Sequence, residues 1–318
     1  MIRVYCAGRS ACEPPVELSN WVLPPDAVWI DLVKPNIEEE AAVEKALGLS
    51  VPTREEMAEL EASSRVYREN GATYATADII THGDEEIPGV EPVTFVVTDG
   101  PLVTIRYVDP KPFALMVEKL HREPRLCATG TDIFLHLMET VIDRASDILS
   151  GTVVRVEGIA GHVFSGGRTV GFGKLITKLG RAQMTNARIE QSLAGLTRIF
   201  AFVGIDERMS KGEARAHLRS LSRDAESLSA HNHTIAASIN FQLSAALGLI
   251  NIEQSSIIKI FSVAAVALLP PTLIASIYGM NFDFMPELSK PWGYPAALTA
   301  MVVSVMLPLA WFKRKGWL

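Results

Sequence analysis

Cysteine is scarce in this 318-residue chain, with only Cys6, Cys12 and Cys127 present. Their spacing fits no paired zinc or redox pattern, so they read as reduced, incidental thiols of the cytosol. Basic charge is also short. Lys and Arg number 30 against 36 Asp and Glu, for a formal net charge of -6, so nucleic acid is not an expected partner. The opening Met1-Ile2-Arg3-Val4-Tyr5-Cys6 has no basic stretch followed by an apolar one. No secretory signal is read there, and insertion through C-terminal segments is expected. No nucleotide-binding motif occurs. The seven histidines are scattered, and His231 and His233, two apart on a predicted helix, face different ways. All are read as structural, and neither an enzyme nor a cofactor is expected.

What the chain has in excess is apolar residues. Hydrophobic residues reach 48%, while charged residues hold at 21%, an ordinary soluble share. The two values agree because the apolar excess is concentrated in the last sixty or so residues. Ile260 to Tyr278 carries no charge and is apolar apart from Ser262, Thr272 and Ser276. Pro291 to Phe312 is a second uncharged run. Each is long enough to cross a hydrocarbon core. A short polar connection, Asn281 to Lys290, makes them a membrane hairpin. Lys259 precedes the first run and Lys313-Arg314-Lys315 follows the second, which places both termini in the cytosol. Trp292, Tyr294, Trp311, Phe312 and Trp317 stand where interfacial aromatics are expected.

Upstream, residues 1–125 read as α/β. Val28–Leu32, Thr73–Ile80, Val93–Val97 and Leu102–Tyr107 are strand-like, and Asp99-Gly100 predicts a hairpin between the last two. Asn36 opens a helix with Glu38, Glu39 and Glu40 in its first turn, and Thr53-Arg54-Glu55-Glu56 has capping-box spacing. His82 to Glu86 form an acidic loop. From Thr131 the period becomes helical, with Ile133, Leu137, Val141, Ala145, Ile148 and Leu149 on one face; Gly151, Gly158, Gly161 and Gly166-Gly167 are expected to weaken or interrupt that helix. A second helix is expected from Lys174 to Val203. A third begins near Asp206, with Leu218, Leu221, Ala225, Leu228, Asn232, Ile235, Ile239, Leu243, Ala246 and Ile250 as its seam, and meets no proline before Pro270-Pro271. Seventy residues of helix would extend on the order of 100 Å.

Two helices enclose no pore, so a channel requires a symmetric oligomer with one helix per subunit on the axis. The first run, with its hydroxyls, suits the pore; the second suits the lipid face. At the outer end, Tyr278-Gly279-Met280-Asn281 offers an amide oxygen and accessible backbone carbonyls. Mg²⁺ keeps much of its water shell, so a mouth of neutral oxygens fits it, and Asp283 and Glu287 in the loop would gather cations. By itself, Gly-Met-Asn reads first as a helix C-cap with Gly and Asn.

A longer pattern adds to this reading. Ile250-Asn251-Ile252-Glu253-Gln254, Leu269-Pro270-Pro271-Thr272, Tyr278-Gly279-Met280-Asn281-Phe282, Phe284-Met285-Pro286-Glu287-Leu288 and the closing Phe312-Lys313-Arg314-Lys315-Gly316-Trp317-Leu318 resemble the CorA magnesium/cobalt transporter family, most closely its enterobacterial branch. Ala27 to Val33, Thr53 to Arg65 and Glu226-Ser227-Leu228 extend the likeness upstream. The resemblance implies an α+β membrane protein in a homopentameric funnel. A cytosolic α/β/α domain (1–125) and long stalk helices (126–256) would lead to a pore helix (257–280), an external loop (281–291), a second span (292–312) and a basic tail (313–318). Gly279, Met280 and Asn281 would form the selectivity ring. Thr272, Leu269, Phe261 and Ile258 would line the pore, and Lys259 would join an inner basic collar. Ser255 stands where the family usually has Asn. Asp84, Glu85 and Glu86 facing Asp224 or Glu226 are the candidate acids for a regulatory Mg²⁺.

The implied activity is influx of hydrated Mg²⁺, with Co²⁺ and Ni²⁺ as surrogates, across a bacterial inner membrane, driven by membrane potential and closed by intracellular Mg²⁺. The alternatives are Zn²⁺ transport as in the ZntB relatives and a non-conducting, membrane-tethered sensor.

Overall fold

A computed structural model describes residues 1–7, 21–59, 61–123, 127–164, 171–281 and 285–317. Two compact units divide at 243/244.

The first unit is built on a six-stranded mixed sheet. In chain order its strands are β1 (Ile2–Cys6), β2 (Ala27–Val33), β3 (Val66–Glu69), β4 (Ala72–Thr81), β5 (Gly89–Val97) and β6 (Leu102–Arg106). Their spatial order is β1-β2-β6-β5-β4-β3, with β2 and β6 the parallel pair. The expected hairpin forms: β5 and β6 pair antiparallel from Val93↔Arg106 to Val96↔Val103. Thr98 fastens its turn, accepting from the Gly100 N–H at 3.0 Å and donating to the Pro101 carbonyl at 2.7 Å. A Cβ on Gly130 would collide with the backbone of Gly100 and Leu102, so glycine there lets the next long helix start against this turn.

Both predicted helix starts are realised as capping boxes. Asn36 and Glu39 close the first turn of α1 (Ile37–Leu47), and Thr53 and Glu56 that of α2 (Arg54–Met57). α3 (Ala62–Arg65) and α4 (Lys111–Arg122) complete the elements around the sheet.

Every residue of β4 is buried, as expected of a strand covered on both faces. On one side lies a core of Val4, Ile30, Leu32, Val43, Met57, Tyr74, Val96, Val103 and Ile105. A polar chain also crosses the interior. Trp29 donates to Thr104 at 2.9 Å, and Thr104 donates to Asp31 at 2.8 Å. Arg106 pairs with Asp31 at 2.8 Å, with both side chains 1% exposed. Its guanidinium also donates to the Val108 carbonyl and lies 4.6 Å from the Phe113 ring centroid. A buried charge pair this well supplied with partners is costly to break from one side.

The three long helices are α5 (Gly130–Phe164), α6 (Phe172–Val203) and α7 (Gly212–Tyr278). The expected break does not occur at Gly151, Gly158 or Gly161, and Gly166-Gly167 lie outside the described residues. The first three glycines are exposed, while Thr152, Val156, Ile159 and Val163 continue the buried stripe. Packing of that stripe outweighs the roughly 1 kcal/mol each glycine costs a helix. The face from Ile133 to Leu149 is buried as read. On α7, Asn232 donates to the Asn186 carbonyl at 3.1 Å and to Glu190 at 3.0 Å, holding it to α6. Burial works to raise the Asp206 carboxyl, but hydrogen bonds from Arg208 and Thr73 outweigh it and hold its pKa down at about 2. One further expectation fails: Cys6 is disulfide-bonded rather than reduced, while Cys127 is a buried free thiol. Cys12 lies outside the described residues.

The second unit holds the end of α7 and α8 (Gly293–Arg314). Only 6% of the most apolar eighteen-residue window in each helix is buried, which removes the reading of soluble core helices. The 22 residues of α8 span about 33 Å, enough for a hydrocarbon core of about 30 Å.

Candidate functional site

The last third of α7 organises the candidate site. Its helix continues through Pro270 and Pro271, which each remove an N–H from the ladder. The residues covered within the chain are Ser262, Val263, Ala267, Pro270, Pro271 and Ile274, and four of them, Val263, Ala267, Pro270 and Ile274, are spaced four, three and four apart. At about 100° per residue this is one stripe. Ser255, Ile258, Phe261, Leu269 and Thr272, all exposed, fall on a stripe centred about 150° away. Ile258, Phe261 and Leu269 are 57%, 71% and 66% exposed. Apolar surface of this extent needs lipid or other copies of the chain against it.

Thr272 spends its hydroxyl hydrogen on the Leu268 carbonyl, at 2.6 Å. This is ordinary helical back-bonding, and it leaves the oxygen's lone pairs outward as acceptors. A hydrated cation presents water hydrogens at its outer surface, so acceptors are the groups it can use. Lys259 is exposed one residue beyond Ile258.

At the far end, Gly279 N–H donates to the Ala275 carbonyl at 2.9 Å and Met280 N–H to the Ile277 carbonyl at 3.2 Å. Gly279 is not left-handed, so the glycine C-cap reading of Gly-Met-Asn does not describe it. No backbone strain calls for glycine there; its bareness uncovers the last carbonyls of the helix. No basic residue lies in the last turn of α7, so roughly half a negative elementary charge of helix dipole stands unneutralised beside Tyr278, Met280 and Asn281, all exposed. A cation is the ion this end attracts.

The connecting loop is tied to α8 by close approach. Gly293 N–H donates to the Lys290 carbonyl at 3.0 Å, and a Cβ on Gly293 would overlap the Glu287 carbonyl. Glu287 itself is exposed, while Asp283 lies outside the described residues. Lys290 sits 5.5 Å from the Trp292 ring at one end of α8, and Lys315 5.0 Å from the Trp311 ring at the other. Paired cations and aromatics at both ends of an apolar helix are interfacial anchors.

The five candidate regulatory acids do not converge within one chain. Asp84 pairs with Arg144 at 2.6 Å and Lys111 at 3.7 Å, and the Arg144 hydrogen bond above all lowers its pKa. Glu86 pairs with Arg181, which likewise lowers it. Glu85 is exposed. On α7, Glu226 accepts from Ser222 at 3.4 Å. Asp224 faces α5, where burial first and then Glu139, Asp147 and Asp224 raise the Asp143 pKa.

Among the described residues, one group of three His, Cys, Asp or Glu side chains is close enough to share a metal ion: His136, Glu139 and His217. The sequence reading took both histidines as structural. Their separation along the chain carries no local signal, and only the packing of α7 beside α5 joins them.

Comparison with known proteins supplies the remaining context. The family model for the CorA-like Mg²⁺ transporter protein matches residues 25–314. The magnesium transport protein CorA of Salmonella typhimurium is 34% identical over 293 residues, 92% of each chain. Among solved structures, the CorA magnesium transporter of Methanocaldococcus jannaschii superposes with a TM-score of 0.79 at 20% identity, covering 100% of this chain and 98% of that one. The full-length CmaX protein gives 0.74 at 15% identity, covering 98% and 96%. At those identities the two structures speak for the fold alone.

Proposed function

The chain belongs to the CorA-like Mg²⁺ transporter family, and on that premise we propose that it is a channel-type transporter for Mg²⁺ influx through the bacterial inner membrane. The observation that carries this reading is the 34% identity to a magnesium transport protein across 92% of the chain, beside a family match that runs through both spans. The same likeness speaks against the zinc alternative.

The finer reading is a homopentamer with both termini in the cytosol. Five copies of α7 bring Ser255, Ile258, Phe261, Leu269 and Thr272 to a common axis. The large apolar side chains form a constriction that closes by dewetting. Asn281, with Gly279 and Met280, holds the ion through its water shell, and neutral oxygens suit an ion that dehydrates reluctantly. Co²⁺ and Ni²⁺, octahedral in water like Mg²⁺, follow the same path. An inside-negative potential contributes about 4.6 kcal/mol per 100 mV for a divalent ion. Intracellular Mg²⁺ acts as the closing ligand. Acids from adjacent subunits hold it, Asp84, Glu85 and Glu86 against Asp224 or Glu226, in competition with Arg144, Lys111 and Arg181.

The test is flux into liposomes from purified protein, with Mg²⁺, Co²⁺, Ni²⁺ and Zn²⁺ outside and internal Mg²⁺ varied. Potential-driven Mg²⁺ entry that falls as internal Mg²⁺ rises is expected. Entry of Zn²⁺ with no Mg²⁺ flux would overturn the reading of the ion, and no flux at all would leave only a tethered domain.

A further inference from the structure

His136 and Glu139 lie three residues apart on α5, adjacent on one helix face, and His217 reaches them from α7. Their ligating atoms all fall within 4.8 Å of one another. The two imidazole rings meet edge to face with centroids 5.1 Å apart.

A positive charge already occupies this cluster. The Lys119 ammonium of α4 is 2.6 Å from Glu139 Oε2 and 3.1 Å from His136 Nδ1. Those two acceptor atoms are themselves 3.0 Å apart. One ring nitrogen cannot accept from the ammonium and donate to the carboxylate at once. All three distances are satisfied when the Nδ1 lone pair and the carboxylate both face Lys119 Nζ. This makes a two-armed claw closed on a cation. Its 3.0 Å opening is near the roughly 3.3 Å between ligands of a tetrahedral metal with bonds of about 2.0–2.1 Å. His217 is the third arm. From separations within 4.8 Å, rotation of half-buried side chains by up to about 1.5 Å brings it to the spacing of metal ligands, and a water can take the fourth position.

We propose that His136, Glu139 and His217 form a binding site for a transition-metal dication of the Zn²⁺ or Co²⁺ kind, in exchange with the Lys119 ammonium. Two imidazoles and one carboxylate select such ions and select against Mg²⁺, which takes oxygen ligands. The site is thus chemically distinct from the oxygen-lined path proposed for hydrated Mg²⁺, and it stands whichever ion that path conducts. Occupancy would join α5 directly to the start of α7 and release Lys119, whose side chain is 29% exposed and free to swing outward.

The full-length protein in detergent, held in saturating Mg²⁺ to fill oxygen sites, is titrated with Co²⁺. The expected result is one tightly bound Co²⁺ per chain, with the strong visible absorption of four- or five-coordinate, imidazole-ligated cobalt. His136→Gln and His217→Gln should each abolish that band and weaken binding by about tenfold or more. Lys119→Met should keep the band and tighten binding by about tenfold, because the competing cation is gone; a merely structural role for Lys119 would not do so. A spectrum showing only weak six-coordinate cobalt overturns the proposal, as does a band that survives His217→Gln. If the histidine variants fail to fold, Lys119→Met still decides: unchanged or weaker Co²⁺ binding counts against the site.

Discussion

β4 and the uncharged run of α7 meet opposite fates. All ten residues of β4 are buried, three threonines and Asp78 among them, whereas of residues 260–278 of α7 only Val263 is. Charge follows the same division. Asp31 and Arg106 are paired at 1% exposure in the first unit, while Glu287 and Lys290 stand open in the second. The first unit completes its interior from its own residues. The second leaves apolar and acceptor surface bare, and such surface is stable only against lipid and other copies. A substitution in the first unit should therefore be read in stability, and one in the second in transport.

The sharpest break of that contrast is Asn281→Ala. It removes an exposed amide with no side-chain hydrogen bond among the described residues. Selective Mg²⁺ flux in liposomes should fall by at least about a hundredfold, the scale of a lost specific polar group in a selective site. The oligomer and its melting temperature should not change. Unaltered flux would refute the assigned role, and a lower melting temperature would refute the contrast.

Asp31→Ala is the converse. It leaves Arg106 buried with Asp109 and the Val108 carbonyl as its remaining partners. The expected loss is about 3–5 kcal/mol, read as a drop in the unfolding midpoint of the full-length protein. Joint replacement, Asp31→Leu with Arg106→Met, should recover most of it, because no unpaired charge remains. A single variant as stable as the parent would show that the pair contributes little.

Acid gives a milder test. The Asp206 carboxyl, with its pKa lowered to about 2, contributes stability that is fully present above the ordinary unfolded value near 4 and is lost as pH falls from there through 2. The melting temperature should therefore decline over that window. Asp206→Asn should flatten the decline while lowering stability at neutral pH. A parallel decline in both proteins would assign the acid sensitivity elsewhere.

What the sequence disclosed follows the range of the forces involved. The helix start at Asn36, the capping box at Thr53, the Asp99-Gly100 turn and the stripe from Ile133 to Leu149 rest on contacts a few residues apart, and they were legible. The short strands β1 and β3 were not, since four or five residues carry little pattern without a partner strand. The glycines of α5 misled because propensity is local and the packing that overrides it is not. Of the proposed pore and mouth residues, Thr272 lies within the uncharged run and Asn281 just beyond its end, and both are exposed as that position suggests. The contact of Gly293 with the Glu287 carbonyl was not, nor was the meeting of His136 with His217, because each depends on two elements closing in space.

The smallest expected effect lies at Glu287. Its side chain is exposed, and the contact that fixes its loop is made by its backbone carbonyl against Gly293. Glu287→Gln therefore leaves that contact in place and removes only charge. An open carboxylate acts on an approaching cation through water, over a Debye length of about 10 Å at 0.1 M salt. Mg²⁺ flux at low ionic strength should fall by about threefold, through a lower rate of ion capture. At about 1 M monovalent salt the screening length shrinks to about 3 Å, and the variant should match the parent. The carboxylate of Asp31 cannot be screened in this way, since water and salt do not reach it. Equal loss of flux at low and high salt would mean that Glu287 touches the ion directly, and would move it from the surroundings of the mouth into the mouth itself.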